Sequence, residues 1–202
     1  DSWWQAKQAL AAVKIDWETT ASSAVDSAAI DAMLKEGLTA KDTFIGHTRG
    51  QTQAVLADSD TLIVADYSYP FQNHAPMEPM NATVVWREDS CEAWVPTQNA
   101  ESALEVLADA AGLFRDKCEV HKLILGGGFG RRGNHDFLVQ ATQIAKQLPG
   151  TPVKLLWSRE EDQLRGLYHP ITQSRLTAKL DESGFPEALH IRISGQSILH
   201  AL

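Results

Sequence analysis

The chain has 202 residues, 44% hydrophobic and 22% charged, with a formal net charge of −8. This is ordinary globular composition, enough for one large domain or two small ones, and it excludes a disordered polypeptide. The acidic balance argues against a nucleic-acid surface, which needs a field favourable to phosphate. No run approaches the ~20 apolar residues of a membrane span, and Asp1-Ser2-Trp3-Trp4 lacks the basic-then-apolar opening of a secretory leader.

Residues 3–13 carry Trp3, Trp4, Ala6, Ala9, Leu10 and Val13 at helical spacing, and a second helix fits Ser27 to Leu38. An extended piece, Lys14 to Glu18, lies between them. From Thr61 the pattern turns to strands. Leu62 to Ala65 leads into Tyr67 to Pro70, and Ala82 to Trp86 with Ala93 to Val95 forms a hairpin around the polar turn Arg87 to Ser90. A helix then runs from Ala100 to Ala111 behind Asn99.

The strand expected at His121 to Leu125 delivers the chain into Gly126-Gly127-Gly128-Phe129-Gly130. A helix from about Asp136 to Gln147 follows, stopped by Pro149-Gly150. Next come a strand at Val153 to Trp157, the charged segment Ser158 to Asp162 and Tyr168-His169-Pro170. Thr172 to Leu180 and Leu189 to Ile193 close the chain as an antiparallel pair around Asp181 to Gly184. The fold class is therefore α+β, helices packed on mixed, mostly antiparallel sheets in layers, with two subdomains meeting near residue 60. Cys91 and Cys118 have no second sulfur close by in the sequence and read as packing thiols. The absence of an initiator Met and the final apolar run Ile198 to Leu202 read as ends cut from something longer.

Three segments carry candidate chemistry. Successive glycines between a strand and a helix remove every Cβ where an anion approaches the backbone, and their amides can form an anion-binding nest. Phe129 adds bulk there unless it walls a planar cofactor, and Arg131 and Arg132 add charge. A tight packing turn is the plain alternative. Gly128 to Gly133 also satisfies the GxGxxG spacing, with Arg159 placed for a 2′-phosphate, so a dinucleotide module competes.

The second segment is His74-Ala75-Pro76-Met77-Glu78-Pro79-Met80-Asn81. Its prolines set an extended path, Glu78 is a hydrogen-bonding anchor or a base with the structural role favoured, and Met77 and Met80 read as core filler. The third is Trp94-Val95-Pro96-Thr97-Gln98, where Gln98 offers a donor and an acceptor before a helix or serves only as a cap.

Pro76-Met77-Glu78-Pro79, Thr97-Gln98 and Gly127-Gly128-Phe129-Gly130, in this order, resemble the molybdenum hydroxylase family of xanthine dehydrogenases and aldehyde oxidoreductases. The paired Arg131-Arg132 and Trp157 to Asp162 look most like the isoquinoline 1-oxidoreductase β-subunit branch. The resemblance implies a molybdopterin cofactor, in the cytosine dinucleotide form, and no protein ligand to the metal. It implies that Gln98 hydrogen-bonds an apical oxygen ligand of molybdenum, and that Gly127, Gly128, Phe129, Gly130 and Arg131 contact the cofactor. It further implies hydroxylation of an N-heterocycle or aldehyde with water as oxygen source, and an iron-sulfur (2Fe-2S) small subunit as partner. The base of the family lies beyond this chain, so no catalytic residue is assigned and the fragment is expected to be inactive alone. Gly133 stands where xanthine-type members carry an acidic residue, which disfavours a purine. On the same resemblance, residues 1–60 form a helical entry segment and 61–202 a partial molybdopterin-binding domain, in a bacterial periplasmic or cytoplasmic protein. A non-catalytic domain that keeps the fold is the remaining alternative.

Overall fold

The computed structural model describes residues 2–197, so the apolar run at 198–202 lies outside the described residues. In chain order the first elements are α1 (Trp3–Ala11), α2 (Ser27–Gly37), α3 (Thr52–Ala57), β1 (Ile63–Tyr69), β2 (Gln72–Asn73), β3 (Asn81–Trp86), β4 (Cys91–Val95), α4 (Ala100–Ala111) and β5 (Cys118–Lys122). They are followed by α5 (Asp136–Ala145), β6 (Val153–Leu156), α6 (Arg159–Arg165), β7 (Tyr168–His169), β8 (Thr172–Leu180) and β9 (Pro186–Gly195). Two compact units share these elements. One holds Asp1–Val13 with Asn73–Tyr168, the other Lys14–Gln72 with His169–Leu202. Both are assembled from separated stretches of chain, and residue 60, near which two subdomains were expected to meet, falls inside the second.

In the first unit the sheet order is β5-β4-β3-β6. The β3–β4 hairpin pairs Thr83 with Trp94 and Trp86 with Cys91, as the alternation on either side of the polar turn predicts. β6 adds antiparallel to the other edge of β3, while β5 runs parallel to β4 after the α4 crossover. Asn99 caps α4 by accepting the Ser102 N–H, and Gly112 ends it in the left-handed conformation at φ 73°. Met80, Ala82, Val84, Cys91, Ala93 and Val95 meet Ala103, Leu107, Phe137, Leu138 and Ala141 of α4 and α5 in one continuous core. Each fully buried Leu or Phe there contributes about 1.5–3 kcal/mol.

Several expected boundaries move. β5 is Cys118–Lys122, not His121 to Leu125, because its pairing with β4 reaches its last residue partners at Val95 and Lys122. One further bond, Leu123 N–H to Val95 O, follows before the chain turns away, leaving Ile124 96% exposed. The charged segment after Trp157 is a helix, α6, opened by a capping box in which Ser158 and Glu161 satisfy each other's backbone N–H. α3 was not expected at all. Met80 is buried as predicted, whereas Met77 is exposed and fills no core. Cys91 and Cys118 are free thiols facing each other in register across β4 and β5.

In the second unit β1, β8 and β9 form an antiparallel sheet with β8 central. Gln173 is buried and donates to Asp31 of α2 and to Ser68 of β1. A Cβ on Gly37 would stand 2.3 Å from Ser194 Oγ, so the C-terminus of α2 rests directly on β9. Four of the five main strand pairings are antiparallel, and the α+β architecture is the one expected from the sequence.

Candidate cofactor-binding site

The chain leaves β4 at Val95, and Pro96 prevents the ladder from continuing. Thr97 is fully buried and its hydroxyl accepts the Asn99 N–H, lies 2.7 Å from His135 Nε2 and reaches the Arg132 carbonyl at 3.3 Å. With its backbone fixed in this way, Gln98 turns its side chain toward the glycine loop. Its Oε1 accepts the backbone N–H of Gly130 at 3.0 Å and of Arg132 at 3.2 Å. Gln98 is therefore not the helix cap, a role taken by Asn99. Two N–H donors converging on one atom identify it as the oxygen, so the Nε2 amide points away from the loop backbone. Nε2 makes no hydrogen bond among the described residues.

The loop's glycines have separate steric reasons. A Cβ on Gly126 would stand 2.3 Å from Glu78 Cβ, and one on Gly128 would stand 2.6 Å from both Cδ and Oε1 of Gln98. Gly127 and Gly130 have φ of 96° and 97°, which side chains disfavour. Phe129 also takes a positive φ, 54°, at a cost of about 1–3 kcal/mol. Its ring is 69% exposed and folds back over Gly127.

The loop's donors divide into two sets. Gly126 N–H is taken by Glu78 Oε2, Gly130 and Arg132 by Gln98, Arg131 by Gly128 O and Gly133 by Gly130 O. Among the described residues no partner is present for the successive N–H groups of Gly127, Gly128 and Phe129. Three unpaired N–H groups beside three Cβ-free positions and a free Gln98 amide fit an oxygen-rich, anionic group at the surface of the loop.

The paired arginines point inward instead. Arg131 is 2% exposed, pairs with Asp136 at 2.9 Å and lies over the Trp157 ring, with its Nε and Nη1 unpartnered. Arg132 has no exposed surface, and burial pulls its guanidinium below the ordinary arginine range while Glu78 opposes that shift. It donates to Gly127 O at 2.9 Å, Pro96 O at 3.3 Å, Glu78 O at 2.7 Å and Glu78 Oε2 at 2.9 Å. Neither guanidinium stands free at the loop surface as the sequence reading had it. Arg132, which that reading took as charge beside the loop and as a mark of the branch resemblance, joins all three candidate segments. Nothing in the local pattern marks an arginine as buried.

Glu78 is an anchor, as expected. Besides Arg132 and Gly126 it accepts from Asn81 Nδ2 at 2.9 Å, and its own N–H bonds Gly126 O. Arg159, the candidate for a 2′-phosphate, instead pairs with Asp162 and donates to the carbonyls of Pro76 and Met77. The GxGxxG spacing leads into a 3₁₀ turn at Arg131–Gly133, and α5 starts only at Asp136. No α-helix N-terminus opens at the loop to receive a pyrophosphate, and the dinucleotide alternative is set aside.

A family described as molybdopterin cofactor-binding domain matches residues 37–197. The chain belongs to this family. Among curated relatives it is 38% identical over 109 residues to the isoquinoline 1-oxidoreductase subunit beta of Brevundimonas diminuta, covering 54% of this chain and 14% of that one. It is 26% identical over 185 residues to the membrane-bound aldehyde dehydrogenase [pyrroloquinoline-quinone] of Gluconacetobacter polyoxogenes, covering 91% and 24%. Among solved structures, a Cu,Mo-CO dehydrogenase superposes with a TM-score of 0.65 over 95% of this chain and 26% of that one, at 20% identity, which shows a shared fold. The chain thus spans about a quarter or less of the relatives it resembles. Among the described residues no helix is long and apolar enough to cross a membrane.

Proposed function

We propose that this chain supplies one wall of a molybdopterin site in an oxidoreductase that hydroxylates N-heterocycles or aldehydes with water as the oxygen source. The observation that carries it is the loop surface: three unpaired N–H groups at Gly127, Gly128 and Phe129 beside the free amide of Gln98, within a chain of the molybdopterin-binding family. The pyrroloquinoline-quinone in one relative's name stays with that relative, since the family match over 37–197 speaks for molybdopterin.

When bound, molybdopterin supplies the metal that carries the redox change; the protein binds and orients. Gln98 Nε2 donates toward the cofactor, while Oε1 holds the loop in register. Gly127, Gly128 and Gly130 let the cofactor approach the backbone, Phe129 offers an exposed ring beside it, and Arg131 contributes from below, its buried guanidinium paired with the half-buried Asp136. We assign the cofactor the cytosine dinucleotide form, electron transfer to a 2Fe-2S small subunit, and the cofactor contacts to the span 61–202, with 1–60 as the entry segment. The general base belongs to other sequence, so these residues alone are inactive.

The test is activity and cofactor content of the protein made from its complete reading frame together with its iron-sulfur partner. Gln98→Glu keeps an acceptor for the loop and removes the donor, and is expected to lower kcat by about 10²-fold, the scale for one preorganised donor. Unchanged turnover and molybdenum content in that variant would sink the assignment.

A further inference from the structure

Resting on the cofactor-wall reading, we infer that Arg132 is a positioning residue that sets the orientation of the Gln98 amide and so of the whole donor surface. The case begins with connectivity. Arg132 is bound to Gln98 in both directions: its N–H donates to Oε1 at 3.2 Å, and its carbonyl accepts the Gln98 N–H at 3.1 Å. Its position is in turn set by its guanidinium, which donates to carbonyls on either side of the site: Pro96, two residues before Gln98, and Gly127, inside the loop. The remaining bonds, to Glu78 O, Glu78 Oε2 and Pro79 O, tie it to the segment that also holds Gly126. The three separated segments thus close on one side chain with no exposed surface.

The chemistry requires arginine. Five acceptors lie around one planar group and are reached by Nε, Nη1 and Nη2 together; a lysine ammonium presents three donors from a single point and cannot span them. A buried cation is heavily penalised unless paired, so Arg132 stays only where Glu78 and the carbonyls face it. That makes its geometry stiff, and the stiffness passes to Gln98. Gly128 completes the device, since Gln98 lies where its Cβ would be. Arg132 meets the donor surface only from behind, by Nε on the Gly127 carbonyl, and it sets the Gln98 amide through Oε1, leaving Nε2 outward.

The experiment compares Arg132→Lys, Gln98→Ala and the double variant in the complete protein with its iron-sulfur partner. It reads molybdenum per protein, the Mo(V) paramagnetic resonance spectrum, kcat and KM, and amide hydrogen exchange at Gly130 and position 132. Arg132→Lys is expected to speed exchange at both amides and shift the spectrum toward that of Gln98→Ala. It should lower kcat by about 10²-fold, the scale of a misplaced group, with little change in KM. The double variant should be no worse than Gln98→Ala alone, because both act on one element. Multiplicative losses, or an unshifted spectrum with unchanged exchange, would overturn the inference. Should Arg132→Lys fail to accumulate, Glu78→Gln removes one of its anchors and must move exchange and spectrum in the same direction; no movement overturns the inference equally. A wild-type spectrum, cofactor content and turnover in Gln98→Ala would instead sink the cofactor-wall reading itself, which separates the two failures.

Discussion

A Cβ on Gly128 would stand 2.6 Å from the side-chain carbonyl of Gln98, so this glycine and this glutamine occupy their positions only together. Gly128→Ala must push Gln98 off the two N–H groups it accepts, and the expected loss is about 1–3 kcal/mol, the scale for overpacking. Urea unfolding of the 202-residue chain measures it. Gly133→Ala is the control: nothing lies within 4 Å of its added methyl, and the change should stay within about 0.5 kcal/mol. Equal effects at the two positions would refute the steric account.

Gln98→Ala and Gln98→Glu separate holding from donating. The first leaves the N–H groups of Gly130 and Arg132 without their shared acceptor, at about 1 kcal/mol for typical hydrogen bonds. The second keeps a carboxylate oxygen in that place. Hydrogen exchange at the two amides should accelerate in the first and remain slow in the second; acceleration in both would mean that Gln98 does not hold the loop by Oε1.

His135 gives stability a pH dependence of known sign. Burial, the largest cause, holds its imidazole below the ordinary value of about 6.5, with Arg131 adding to the shift and Asp136 opposing it. The unfolded chain therefore binds the proton first as pH falls. This stabilisation is full above about 6.5 and is lost as pH drops from there toward and through the lowered folded value. His135→Gln, which keeps a polar group near Thr97, should flatten that part of the stability profile. A slope unchanged from wild type would assign it to other groups.

Burial pushes the Cys91 thiol up to about 12, with Cys118 and Glu92 adding to the rise, and the Cys118 thiol is raised too. Thiolate is the reactive form. At pH 8 in native buffer iodoacetamide should label Cys91 no faster than the chain unfolds, and both cysteines promptly in denaturant. Rapid native labelling of Cys91 would contradict its place in the β3–β4 core.

The β3–β4 hairpin was legible because apolar alternation stops at a polar turn and resumes, and α4 because Asn99 precedes a helical stripe. The three motifs were legible as residues and as the ordered set that carries the resemblance, but their meeting on one side chain was not. Trp157-Ser158 hid α6, although Ser158 and Glu161 have capping-box spacing; the charges of Arg159 to Asp162 drew the reading away from it. Leu123-Ile124-Leu125 looked more strand-like than Cys118 to Val120, but the pairing that decides β5 comes from β4, far away in sequence. The burial of Arg132 was the largest omission. A charged residue after a glycine loop reads as surface, and only the acceptors gathered from Pro96, Glu78 and Gly127 make its burial tolerable.

The most direct measurement is molybdenum and pterin content of the protein produced from its complete reading frame with its iron-sulfur partner, wild type beside Gly128→Ala. A molybdenum site walled by the 126–130 loop and Gln98 requires stoichiometric molybdenum and pterin in the wild type and a marked loss of both, or a shifted Mo(V) spectrum, in the variant. Wild-type protein that folds with its partner yet carries neither molybdenum nor pterin would contradict it.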